Sequence, residues 1–349
     1  LRIPSLGAEY QDGSYYTRLE YVDYEIVKGK PALEGLPATY CEEGDRVETL
    51  VIHLADSLHD LHVYLSYTAF EELDAIARSA KIVNLGERAE INRAFSANVD
   101  ILGLEDFDLL HLDGAWVRER SITRRKIVPG NQSIESRNGC SGAVHNPFMA
   151  VCESTATENS GSVYGFSLVY SGNFTAGVDI SPFNSARAYM GINPQNFNFV
   201  LERGESFQTP EAVLVYSDKG LSGMSRIYHK LYRTRLCRGK FRDIPRYVVL
   251  NSWETTYFTF DENTIIQLAR DAARIGVDTM VLDDGWFSTR TTDRAGLGDW
   301  WENPDRLPSG LGWLADEVNK LGLRFGLWFE PEMISEDSDL FRAHPDYAI

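Results

Sequence analysis

The sequence predicts two architectures in succession: an antiparallel β-sandwich over residues 1 to about 240, then the start of a (β/α)8 barrel over 241–349. Three observations carry this. The first two-thirds of the chain is a series of short segments that alternate apolar and polar residues, separated by turn signals. The last third changes to buried apolar runs alternating with helical patterns. The polar and aromatic residues of that last third collect at the carboxyl ends of its apolar runs, where barrel active sites lie.

In the first region, 46–53 reads RVETLVIH and 61–67 reads LHVYLSY, both with the period of a half-buried strand. Further short strands are expected at 81–85, 108–111, 163–170 and 198–202, punctuated by Asp113-Gly114, Pro129-Gly130 and Ser171-Gly172-Asn173. Many strands with one helix, MSRIYHKLYRTRL at 224–236, imply an antiparallel sandwich.

In the second region RYVVLNSWE (246–254) has the continuous apolar core of a strand covered on both faces. Asp261 is placed to cap a helix, ENTIIQLARDAARIG. Its Ile265, Leu268, Ala269, Ala272 and Ile275 share a face, and Gly276 is placed to end it. DTMVLDDGW (278–286) gives a second strand. A helix GWLADEVNKLG follows, then a third strand RFGLWFEPE (324–332) and a closing helix around 337–343. A doubly wound nucleotide-binding sheet would carry a Gly-rich turn after its first strand. SWETTYF stands there instead, which favours the barrel.

Composition narrows the partners. The chain has 349 residues, 34 basic against 51 acidic, for a formal charge of −17. No broad basic face is available for nucleic acid or an anionic membrane, and no apolar run reaches the ~20 residues that span a bilayer. Cys41, Cys140, Cys152 and Cys237 form no CxxC pair and are expected as reduced thiols. The chain opens on Leu1 without Met and stops at Ile349 in what reads as a loop, so both ends are expected to be artificial.

The chemistry-bearing candidates are Asp283 and Asp284 at the end of the second strand, with Trp253 and Trp328 ending the first and third. An indole packs against the C–H face of a pyranose while carboxylates accept its hydroxyls, so the set has the composition of a sugar pocket. On spacing alone an Asp-Asp pair serves equally well as a loop cap, and the tryptophans as barrel core. Asp283, Asp284 and Glu330 could also hold a metal, but the histidines avoid the strand ends. The loop TRTTDRAGLGDWWENPDRLPSG fits a specificity lid and a packed Ω-loop equally well.

NSWE, LDDGWF, GLGDWWENPDRLPSGL and GLWFEPEMI, in this order and spacing, closely resemble glycoside hydrolase family 36, the microbial α-galactosidases. GKPALEGLPATY, GNQSIESRNG followed by HNPF, VYGFSLVYSGNF, GINPQNFNFVLERGESFQTPE and YHKLYR are similar to that family's N-terminal β-supersandwich. The resemblance implies a retaining α-galactosidase acting on terminal α-1,6-linked galactose of melibiose- or raffinose-type oligosaccharides, with no cofactor. It implies that Trp253, Asp283, Asp284 and Trp328 surround the galactose. The family's nucleophile sits in a KWDMNR-like motif after barrel strand four and its acid/base in an SDNTD-like motif after strand six. Neither motif occurs here, so both catalytic residues are expected C-terminal to Ile349, and this chain alone is expected to be inactive. WWENPD departs from the family's DWxxNxxKFP form, which leaves that loop's specificity open. Alternatives are a galactosyltransferase of the raffinose-synthase kind and a non-catalytic sugar-binding fragment. Analogy with the family also implies a homo-oligomer, a tetramer, and a cytoplasmic location is favoured over secretion.

Overall fold

The structure, a computed structural model, describes residues 3–101, 106–183 and 185–348. The chain divides into two compact units, Leu1–Arg242 and Asp243–Ile349.

The first unit is a β-sandwich whose ladders between named strands are all antiparallel. One sheet runs in the order Leu6–Tyr10, Ala89–Ile101, Ala186–Ile192, Phe174–Ile180, Gly130–Glu135, and Phe199–Leu201 pairs as a branch with Ala89–Ile101. The larger sheet begins with the meander Glu20–Lys28, Val47–Asp56, Leu61–Phe70, Ala75–Asn84 and continues through Glu211–Ser217, Val163–Val169, His145–Glu153, Phe107–Ala115 and Arg118–Lys126. Alternation puts Leu109, Met149, Phe166 and Ala212 of the larger sheet against Ile134, Phe174, Val178 and Met190 of the smaller one, all buried. The opposite face of the larger sheet is covered by the helix Gly220–Arg235, whose Met224, Tyr228 and Leu231 pack on Val163, Val213 and Val215. A Cβ on Gly165 would stand 2.7 Å from Met224 Sδ and 2.8 Å from the Tyr228 ring. Glycine at 165 therefore lets the helix lie this close to the sheet.

The GKPALEGLPATY segment is fastened by a buried charge pair. Lys30 Nζ lies 2.6 Å from Glu211 Oε2, with side chains 4% and 2% exposed. The other carboxylate oxygen accepts from Thr39 N (2.8 Å) and Thr39 Oγ1 (2.7 Å), so the acceptor is served on both sides. The four cysteines are all free.

The second unit holds three parallel strands in sequence order, Val249–Asn251, Thr279–Leu282 and Arg324–Leu327, connected by the helices Glu262–Arg274 and Gly310–Lys320. This is the arrangement with which a (β/α)8 barrel begins. Asp261 caps the first helix, its Oδ1 accepting from Thr264 N at 2.8 Å, and Gly276 follows the helix at φ +84°. Ile265, Ala269 and Ala272 are buried as their spacing predicts. Ile275 is not: it sits at the C-cap, 80% exposed, and Ile266 takes its share of the core.

The strands are shorter than the apolar runs suggest. The first ends at Asn251, and Trp253 opens a single helical turn, Trp253–Thr256. The second ends at Leu282 and the third at Leu327, so Asp283, Asp284 and Trp328 lie just past the strands. The runs read long because Trp286, Phe287 and Trp328 are apolar for a different reason: they fill the core of the loops above the sheet.

Candidate active site

The register of the parallel sheet decides which residues meet. Asn251 pairs with Val281, and Leu282 pairs with Leu327. The backbone continues that register, with Ser252 N donating to Val281 O (3.0 Å) and Trp328 N to Leu282 O (3.0 Å). One row further, Trp253, Asp283 and Trp328 stand at the same level. They keep step with Val249, Val281 and Gly326, the sheet face opposite the one on which Met280 and Leu282 meet the helices.

Asp283 and Asp284 are 8% and 6% exposed, and each has its own anchor. Asp283 is held by the first strand: its N donates to Ser252 Oγ at 3.1 Å, and its Oδ2 accepts a short bond from Asn251 Nδ2. Its Oδ1 accepts from Asp284 N at 2.7 Å. Asp284 is held by the long loop through a two-point fork from Arg290, Nε to Oδ1 at 2.8 Å and Nη2 to Oδ2 at 2.7 Å. The Arg290 side chain is 5% exposed, its third donor Nη1 binds Ala295 O at 2.9 Å, and its guanidinium lies 5.7 Å from the Phe258 ring and 6.0 Å from the Phe287 ring.

A carboxylate offers about four lone-pair positions. Two are occupied on each Asp by these protein donors, so the pair keeps acceptor capacity for hydroxyl groups, while one guanidinium neutralises Asp284 and neutral N–H donors hold Asp283.

The aromatic residues form the surroundings. Trp253 packs edge-to-face on Tyr257 (5.2 Å) and Phe258 (5.1 Å), and Phe258 in turn faces Arg290. Trp328 lies 6.5 Å from both Phe287 and Trp300, and its carbonyl accepts from Trp286 Nε1 at 3.0 Å. Gly285 adopts φ +95° and its carbonyl accepts from Arg306 Nη1 at 2.6 Å. Burial pushes the Arg306 guanidinium below its ordinary range, and Asp284 opposes the shift. Glu330 is pushed up, first by burial and then by the like charges of Glu332 and Asp284, with Arg290 opposing. Among the described residues no group of three or more His, Cys, Asp or Glu is arranged to hold a metal ion.

The long loop is packed. Asp299, 2% exposed, accepts from Asp339 N (2.9 Å) and Leu340 N (3.0 Å), and Gly296 N donates to Asp337 O at 2.8 Å. Packing of this kind is what the second of the two sequence readings expects of the segment.

The four candidate residues therefore gather around the carboxyl ends of the strands. Three contributors escaped the sequence reading: Asn251, Ser252 and Arg290. The first two were legible as polar residues ending an apolar run. Arg290 carried no signal, because a loop ion pair has no periodicity.

Residues 1–202 match the model of the glycosyl hydrolase family 36 N-terminal domain, and residues 206–349 match the melibiase model. This chain belongs to glycosyl hydrolase family 36. Among its relatives, α-galactosidase AgaA of Geobacillus stearothermophilus is 53% identical over 349 residues, and α-galactosidase Mel36A of Lactobacillus acidophilus is 42% identical over 345. The first alignment covers 100% of this chain and 48% of the relative, the second 99% and 47%. The chain thus spans about half the length of the curated family 36 relatives it matches. The crystal structure of AgaA superposes with a TM-score of 0.96 over 99% of this chain and 48% of its own. A variant of that enzyme, 52% identical with the same TM-score, was solved in complex with raffinose.

Proposed function

We propose that this chain is the first half of a retaining α-galactosidase and supplies the hydroxyl-binding side of its galactose pocket. The carrying observation is the pair of buried carboxylates past the second parallel strand, each with acceptor capacity to spare, in a family 36 chain whose relatives bear the α-galactosidase name. In this reading Asp283 and Asp284 accept galactose hydroxyls and Trp253 and Trp328 shape the pocket wall. The nucleophile and the acid/base lie C-terminal to Ile349, about 5–5.5 Å apart as retention requires. The substrates are α-1,6-galactosides of the melibiose and raffinose kind, in keeping with the raffinose complex of AgaA. The first-half carboxylates contribute through hydrogen bonds that strengthen as the ring flattens toward its oxocarbenium-like transition state. Self-association of the whole protein belongs to the same reading, and light scattering measures it.

The test is the whole protein against a chromogenic α-galactoside. Asp283→Ala or Asp284→Ala should each lower kcat/KM on the order of 10²-fold, the loss of a charged hydrogen bond worth about 3 kcal/mol in a dry site. Residues 1–349 alone should show no turnover. Near-normal activity of both variants would remove these residues from the pocket, and galactosyl transfer to sucrose in place of hydrolysis would reassign the reaction.

A further inference from the structure

The structure assigns Arg290 as a positioning residue for the sugar-binding carboxylate Asp284; this rests on the galactose-pocket reading above. Arg290 is a loop residue whose guanidinium is almost wholly buried and makes both of its strongest hydrogen bonds to one carboxylate. The fork fixes the Asp284 carboxylate plane, since two parallel N–H···O bonds define an orientation that a single bond does not. It consumes one lone pair on each oxygen and leaves the other for a ligand donor. The third donor, on Ala295 O, ties the fork to the loop that Asp299, Gly296 and Leu297 fasten to the segment around residues 335–340. Phe258 and Phe287 flank the guanidinium and limit its tilt. Asp284 thus takes its direction from the loop after its own strand, and lysine, a point charge without the planar fork, cannot reproduce it.

A residue that acts through Asp284 must lose its effect when Asp284 is already disabled. The experiment is a double-mutant cycle in the whole enzyme, with Asp284→Asn, Arg290→Gln and the pair assayed on a chromogenic α-galactoside, and Arg290→Lys as the conservative variant. Each single change should lower kcat/KM by roughly 10²-fold, and the pair by roughly the same 10² rather than 10⁴. Arg290→Lys should recover about tenfold of the Arg290→Gln loss by keeping the charge. Both kcat and KM should worsen, because the hydroxyl contact exists in the ground state and strengthens in the transition state. A multiplicative double variant, or an Arg290→Lys enzyme that folds and equals wild type, would overturn the assignment, and the lysine variant decides the matter should Arg290→Gln fail to fold. Inactivity of the wild-type enzyme on every α-galactoside would instead sink the function reading itself.

Discussion

The two units bury their sheets differently. In the first, Phe174–Ile180 of the smaller sheet has six of its seven residues buried, with Phe174, Ala176, Val178 and Ile180 in the core shared with the larger sheet, whose own far side carries a helix. In the second, only alternate residues of the middle strand, Met280 and Leu282, are buried, and the flanking strands have none. The helices cover one face of this sheet. The other, with Val249 54% exposed and Val281 and Gly326 half-buried, is the face in step with Asp283. A sandwich completes its core with its own two layers, whereas the inner face of a barrel sheet is covered only when the sheet curls around on itself. The two-layered core and the open face in step with Asp283 are thus found in different units of the chain.

The largest effect that would break this comparison is all-or-none. Expressed separately, residues 1–242 should be soluble and unfold in one cooperative transition. Residues 243–349 should aggregate through the open edges and half-covered face of the three-stranded sheet. Urea denaturation followed by far-ultraviolet circular dichroism checks both, and a monomeric, cooperatively folding 243–349 would erase the distinction.

Next in size is the buried pair that fastens 29–40 to the sandwich. Lys30→Met strands Glu211 without its cation and should cost about 3–5 kcal/mol in the first unit, while Lys30→Met with Glu211→Leu should restore most of it. Equal losses in the single and double variants would mean that the apolar replacements, not the charge, do the damage. The smallest effect belongs to the second unit. Asp261→Ala removes the cap from Thr264 N and should cost about 1 kcal/mol, read as a drop in the melting temperature of the whole protein. Asp261→Ser should be nearly neutral.

Much of this division was legible in the sequence because the two sheets write different patterns. Alternation at 46–53 and 61–67 marks strands with two unlike faces, and all of these residues but Arg46 lie within strands of the larger sheet. Asp261 and Gly276 marked a helix at both ends because caps depend on local chemistry. Strand ends were less legible: 246–254 and 278–286 read through into Trp253 and Trp286, since hydrophobicity reports burial and not the element that achieves it. The carboxylates and tryptophans could be picked out by residue type. Their anchors could not, because the fork from Arg290 is set by the path of an irregular loop, and Asn251 reaches Asp283 only through parallel pairing across 32 positions.

Asp283 and Asp284 are neighbours in the chain, yet they are governed from opposite directions. Asp283 answers to Asn251 and Ser252 at the end of the strand before it, Asp284 to Arg290 in the loop after it. For evolution this is a separation of controls. An insertion or rewiring in the long loop redirects the second acceptor while the first stays under the hand of the sheet, and drift at the first strand does the reverse. On the proposed galactose-pocket reading, a lineage built on this arrangement explores a new hydroxyl pattern on its sugar one contact at a time, without risking both in a single step.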